Sequence, residues 1–237
     1  GTVDVADSFA AVAQVVFQEK RASMGQVVDA CRANFVGHEA LQVRLGEAPK
    51  FGNDDDRADV WAARVMELFA LGLAGRRNTR GGAYVAGFYS VTAHLGFGEL
   101  VGALPSGRLA GRPFSSGISP ATGAEARGPT ASIRSVAGLP TQFALNGLNY
   151  NLKLSPGTDN PRDGAPVLRG LMDGAMALGC MQMQVNVLDP QVLLEARQHP
   201  GRHPGLLVRV SGYSAYFDDL SPEMKDEIIQ RTLFEVG

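Results

Sequence analysis

Apolar positions in the first third of the chain recur every three to four residues. Phe9, Val12, Val16 and Phe17 follow helical spacing, as do Val27, Val28, Cys31 and Phe35, and further on Val60, Trp61, Val65, Leu68 and Phe69. The pattern predicts a set of helices between Val3 and Leu73. A turn-rich linker, Ala48-Pro49-Lys50-Phe51-Gly52-Asn53, interrupts them. Asp54, Asp55 and Asp56 follow, where carboxylates cap a helix and complement the positive end of its dipole. A metal site is the weaker reading of this triplet, because adjacent carboxylates at a helix start point in different directions.

After Gly75 the texture changes to glycine-dense, with few helical stretches. Arg80-Gly81-Gly82-Ala83-Tyr84 leads into Phe88 to His94, whose β-branched and aromatic content predicts a strand. Leu104 to Arg108 reads as a turn, and Ser115 to Pro129 as a long ordered loop, functional or wrapped over another part of the protein. Thr130 is placed to cap a short helix to Val136, Asn146 to Leu154 alternates like a strand, and Ala165 to Leu178 is a short apolar helix. Met181 to Val187 alternates with period two, predicting one buried face and one that presents Gln182, Gln184 and Asn186. A helix from Pro190 to Arg197, a strand from Leu206 to Val210 and a helix from Ser221, at N-cap with Pro222 behind it, to Arg231 complete the chain. The alternation of strand and helix points to α/β architecture.

Composition narrows the function. At 237 residues the chain can bury a sizeable core, and a net charge of −2 argues against nucleic acid or an anionic membrane as main partner. No apolar run is long enough to cross a bilayer and no leader pattern opens the chain, so a cytoplasmic location is expected. Cys31 and Cys180 are far apart and outside any metal-ligand spacing, which predicts no disulfide framework and no zinc site. Glycine is in excess, 29 residues against about 17 at average usage. Residue 1 is Gly, which points to an excerpt of a longer chain.

The sharpest local signal is Leu206-Leu207-Val208-Arg209-Val210-Ser211-Gly212-Tyr213-Ser214-Ala215-Tyr216-Phe217. A glycine between a β-rich and an aromatic run ordinarily marks a hairpin turn or a close backbone approach. Arg-Val-Ser-Gly-Tyr, however, closely resembles the radical-bearing motif of the glycyl radical enzymes, the group that contains pyruvate formate-lyase and the radical dehydratases and lyases. Three upstream segments are similar to the family in the same order. They are Ser90-Val91-Thr92 with Gly102 to Gly111, Gly128 to Val136, and Gln184 to Asp189. Leu207 is a conservative departure, standing where the family more often has Ser, Thr, Ile or Val.

The resemblance implies that residues 75–237 form the C-terminal part of a ten-stranded α/β barrel with its radical loop at about 206–217, and that residues 1–74 are a helical segment around it. It implies that Gly212 stores a backbone radical. Glycine suits this task because an α-carbon radical between an amide donor and a carbonyl acceptor must stay planar, which a side chain opposes. Leu206, Val208, Tyr213, Tyr216 and Phe217 would keep the site dry. The resemblance further implies a separate activating enzyme with an iron–sulfur cluster and S-adenosylmethionine, a cysteine thiol that receives the radical and attacks a small-molecule substrate, and a homodimer. No bound cofactor and no metal are expected in this chain.

Cys180 is the tempting candidate for that thiol, in Gly179-Cys180-Met181-Gln182. Its position at the start of a strand, with no acid at the expected spacing, assigns it to packing instead, and Cys31 lies in a helical apolar pattern. The thiyl cysteine is therefore expected outside this chain. The leading reading is the radical-storing portion of an anaerobic lyase or dehydratase. The alternatives are a portion of a pyruvate formate-lyase-like acyltransferase, or a stand-alone radical-bearing repair subunit. Arg80, Tyr84, Tyr89 and His94 either line the substrate side of the barrel or serve structure singly, and Arg209 is expected to hold the radical loop by pairing with a buried carboxylate or carbonyl.

Overall fold

A computed structural model describes residues 1–155, 161–231 and 233–235. The first third is helical, as its spacing predicts: α1 (Thr2–Val12), continued by a π-helical turn (Ala13–Gln18), then α2 (Met24–Arg32), α3 (Glu39–Gly46) and α4 (Asp56–Leu73). Helix α1 buries Val3 and Ala6 against Ala62 and Met66 of α4, and the Phe9 and Trp61 rings meet with centroids 5.4 Å apart. Asp55 caps α4 by accepting the Arg57 N–H at 3.1 Å, and Asp54 pairs with Arg134 at 3.4 Å, so the acidic triplet is a helix start held by arginines.

The long loop is ordered by polar anchors from this helical part. Asp4 accepts the Ser115 N–H and hydroxyl at 3.0 and 2.7 Å. Asn53 donates to the Ala124 carbonyl at 2.7 Å and accepts the Ala126 and Arg127 N–H groups at 2.8 and 3.1 Å. A loop whose backbone groups are satisfied in this way can run through the interior. Before it, the segment predicted as a strand differs. Phe88 makes an isolated bridge to Leu148, and the chain then turns at Val91 (φ +54°) into a helix, α5 (Ala93–Leu100). Gly96 and Gly98 mask that helix in the sequence. At Gly98 a Cβ would sit 2.5 Å from the Arg112 carbonyl oxygen, so close packing overrides propensity there.

Helix α6 (Pro129–Ala137) begins with Pro129 rather than at a Thr130 cap, and β1 is shorter than predicted, Asn151–Ser155. Helix α7 (Pro161–Ala177) leads to β2 (Gln184–Val187), which lies parallel to β1 with Asn151 opposite Gln184 and Lys153 opposite Asn186. Helix α8 (Pro190–Gln198) precedes an antiparallel hairpin, β3 (Leu207–Arg209) and β4 (Ser214–Tyr216). Helix α9 (Pro222–Gln230), capped by Ser221, leads to β5 (Leu233–Glu235), parallel to β1 on its other side. The described strands thus form one parallel sheet, β2-β1-β5, and one hairpin, an α/β arrangement. Val208, Val210 and Phe217 of the hairpin segment pack on Leu193 of α8 and on Met224 and Ile228 of α9.

At strand β2 Met183 and Val185 pack on the core, but the opposite face is buried as well instead of being presented. Gln184 and Asn186 are each 5% exposed, whereas Val187 is 48% exposed. Period two fixes that the faces differ and not that the polar one meets solvent. Here the polar face turns in because its amides find partners in the hairpin.

Candidate radical site

Gly212 stands at the tip of the β3–β4 hairpin. The Val210 N–H donates to the Tyr213 carbonyl at 2.9 Å, which closes a two-residue loop of Ser211 and Gly212. Gly212 has φ +86°, a conformation that side-chain-bearing residues rarely adopt. Space is not the restriction, since a Cβ there would meet nothing nearer than Asn149 Nδ2 at 3.8 Å. The glycine itself is exposed while Ser211 beneath it is buried.

The groups that hydrogen-bond to this turn are amides, while four of the apolar residues expected around it, Leu206, Val208, Tyr213 and Phe217, pack in one cluster beside it. Gln184 Oε1 accepts the Gly212 N–H at 3.2 Å. Gln184 Nε2 donates to Asn149 Oδ1 at 3.0 Å and also to Asn151 Oδ1. Asn151 is fixed in turn, with its N–H donated to Ser119 Oγ at 2.9 Å and its Nδ2 to Ser116 Oγ at 3.1 Å. Asn186 holds Arg209, three residues before Gly212, like a strand partner, accepting its N–H at 2.7 Å and donating to its carbonyl at 2.8 Å. Val208 and Phe217 do bury, but Tyr216 is 52% exposed. A backbone N–H needs an acceptor that an aliphatic wall cannot supply.

Behind the amides lies a buried ionic group. Arg231, at the end of α9, donates to the carbonyls of Arg209 and Val210 at 3.2 and 2.8 Å and pairs with Glu227 at 2.8 Å. His94 Nε2 lies 3.6 Å from the other Glu227 oxygen, and His94 Nδ1 is 3.1 Å from Ser90 Oγ. Burial pushes the Glu227 carboxyl up, but His94 and Arg231 outweigh it and hold the group below the usual carboxylate range. Lys153 of β1 donates to the Ile229 and Ile228 carbonyls at 2.8 and 3.4 Å, closing the last turn of α9. Burial, then Arg231, push its ammonium down to about 8.

The other predicted residues are dispersed. Arg209 does not meet a buried carboxylate; its guanidinium donates to Ser214 Oγ at 3.1 Å across the hairpin, and Arg231 holds the loop instead. His94 is buried, whereas Arg80, Tyr84 and Tyr89 are exposed, and Tyr89 accepts from Asn146 Nδ2 at 3.0 Å. The Cys180 thiol donates to the Gln182 carbonyl at 3.4 Å and packs against the sheet core; Cys31 packs among α1, α2 and α3. Burial raises both thiols above their ordinary pKa. Gln184, Asn149, Asn151, Glu227 and Arg231 received no role from the sequence. The row of amides in Met181 to Val187 was the available signal for the first of them, and the four-residue spacing of Glu227 and Arg231 for the last two.

Among the described residues, no group of three or more His, Cys, Asp or Glu side chains is placed to hold a metal ion, and no helix is long and apolar enough to cross a membrane. The arrangement holds one side-chain-free α-carbon with its N–H engaged and the carbonyls of Arg209 and Val210 clamped.

Two family models match the chain in succession, pyruvate formate lyase-like over residues 1–98 and glycine radical over residues 114–218. Trans-4-hydroxy-L-proline dehydratase of Clostridioides difficile is 37% identical over 233 residues, 98% of this chain and 29% of that protein. The probable dehydratase YbiW of Escherichia coli is 39% identical over 242 residues, 98% of this chain and 30% of that protein. The glycerol-bound B12-independent glycerol dehydratase from Clostridium butyricum superposes with a TM-score of 0.95 at 34% identity, over 99% of this chain and 30% of that one. A glycyl radical enzyme from Archaeoglobus fulgidus gives 0.92 at 40%, over 98% and 30%. The chain spans about 30% of the length of these relatives. With a glycine radical segment that carries the Gly212 hairpin, and with relatives that match it almost end to end, the chain belongs to the glycyl radical enzyme family.

Proposed function

We propose that this chain is the radical-storing portion of an anaerobic lyase or dehydratase and that Gly212 holds the radical. The observation that carries the reading is the Gly212 turn, with φ +86° and an N–H bonded to Gln184. Activation breaks one Cα–H bond of Gly212 homolytically. The hydrogen atom goes to an abstracting radical supplied by a separate activating enzyme of the iron–sulfur and S-adenosylmethionine type, and the unpaired electron stays on Cα. Gly212 Cα then takes a hydrogen atom from a cysteine thiol outside residues 1–237, and the resulting sulfur radical attacks substrate. The packing roles of Cys31 and Cys180 support placing that cysteine elsewhere.

Related proteins named as trans-4-hydroxy-L-proline dehydratase, (2S)-3-sulfopropanediol dehydratase and isethionate sulfite-lyase favour cleavage of a carbon–heteroatom bond in a small polar substrate. In this reading the parallel sheet β2-β1-β5 belongs to a ten-stranded barrel, residues 1–74 surround it, and the enzyme is a cytoplasmic homodimer. Anaerobic activation should give a glycyl electron paramagnetic resonance signal, and oxygen should then cut the chain next to Gly212. Gly212→Ala should abolish both; a signal that survives in Gly212→Ala overturns the assignment.

A further inference from the structure

The hydrogen bonds around Gly212 have only one consistent orientation. A backbone N–H can only donate, so Gln184 must present its carbonyl oxygen to Gly212, which it does at 3.2 Å. Its Nε2 therefore points the other way and needs acceptors, which Asn149 Oδ1 at 3.0 Å and Asn151 Oδ1 supply. With Asn151 Oδ1 facing Gln184, its Nδ2 donates to Ser116 Oγ at 3.1 Å, a hydroxyl that accepts it. Asn149 must then turn its Nδ2 toward Gly212. That group is buried, has no partner among the described residues, and lies 3.8 Å from the position a Cβ on Gly212 would take. Turning any one of these three amides over would set donor against donor elsewhere in the chain.

An α-carbon radical is stabilised by electron donation from its own amide nitrogen, and an acceptor on that N–H strengthens the donation and fixes the amide plane. We propose that Gln184 is a positioning residue of the radical, holding the Gly212 N–H in the plane of spin delocalisation, while Asn149 and Asn151 lock the Gln184 amide in the accepting orientation. This deepens the radical-storage reading and rests on it. Gln184 touches the radical residue only through its amide and exchanges no atom with it.

The test uses the intact protein after anaerobic activation. Pulsed electron–nuclear double resonance in H2O and D2O reads the exchangeable Gly212 amide proton. Gln184→Met should shift that coupling and shorten the radical half-life at least threefold. Gln184→Glu, whose carboxyl still offers the Gly212 N–H an acceptor oxygen, should restore both. Unchanged coupling and half-life in Gln184→Met, or failure of Gln184→Glu to restore them, overturns the proposal. Wild-type protein made with glutamine labelled with 13C at Cδ provides a measurement independent of any variant. A weak 13C coupling to the radical is expected, and its absence is equally decisive against Gln184. Absence of any glycyl signal in the wild type would instead overturn the radical-storage reading.

Discussion

Arg231 Nη2 donates to the Val210 carbonyl at 2.8 Å, so the end of α9 grips the strand two residues before Gly212. The same guanidinium neutralises Glu227, and both side chains are nearly fully buried. Arg231→Met would leave the Glu227 carboxylate with only His94 at 3.6 Å. Removing one partner of a buried pair costs about 3–5 kcal/mol. Urea unfolding of the intact protein should show that loss, and hydrogen exchange of residues 208–214 should quicken. A second change, Glu227→Gln, should recover part of the stability, because the uncompensated charge goes with it; no recovery would mean that the clamp on Val210 carries the effect alone.

Asn186 offers a test of the other clamp. Its amide satisfies both backbone groups of Arg209. Asn186→Leu preserves approximate volume but leaves the Arg209 N–H without this acceptor, a cost of about 1–3 kcal/mol. Asn186→Asp keeps the acceptor and loses the donor, while Arg231 still serves the Arg209 carbonyl. The expected order of stability at neutral pH is wild type, then Asp, then Leu. Leu ranking above Asp would show that desolvating a carboxylate outweighs the lost N–H bond.

Two positive-φ glycines should respond differently to alanine. At Gly212 the added methyl meets only Asn149 Nδ2 at 3.8 Å, so Gly212→Ala carries backbone strain of about 1–2 kcal/mol and should fold. It is therefore a clean test of radical storage. At Gly117 (φ +62°) the methyl would lie 2.5 Å from the Asn149 carbonyl oxygen. Gly117→Ala must displace the segment that carries Asn149, and a lower yield of soluble protein together with a weaker radical signal is expected. Equal melting temperatures for the two variants would contradict this.

The helical third and the Gly212 turn were legible in sequence because each rests on local rules: helical spacing for Val3 to Leu73, and a fixed five-residue motif for the turn. What was not legible depends on tertiary placement. Glu227 and Arg231 look like a solvated pair on the face of α9, and only the hairpin folded over them makes them buried. Gln184 and Asn186 were visible as one face of a strand, yet alternation could not tell that this face turns inward. Helix α5 was hidden because Gly98 is chosen for close approach to Arg112 and not for helix propensity.

Asp7 makes a pH-dependent prediction for the helical part. It lies 1% exposed in α1, accepts the Phe51 N–H at 2.8 Å, and burial pushes its carboxyl from 3.8 up to about 7. Below about 4 the folded and unfolded chains both hold the proton, so Asp7 imposes no penalty. As pH rises to about 7 the unfolded chain releases that proton while the folded one retains it, and stability falls. Asp7→Asn keeps an acceptor for Phe51 without the charge. The difference in unfolding free energy between Asp7→Asn and wild type should therefore grow from pH 4 to pH 8 in favour of Asn, by up to about 4 kcal/mol. Urea midpoints at pH 5 and pH 8 measure it, and using the difference cancels Asp59, whose burial acts with the same sign. A variant equally destabilised at both pH values would show that Asp7 is charged in the folded protein and held by Lys50.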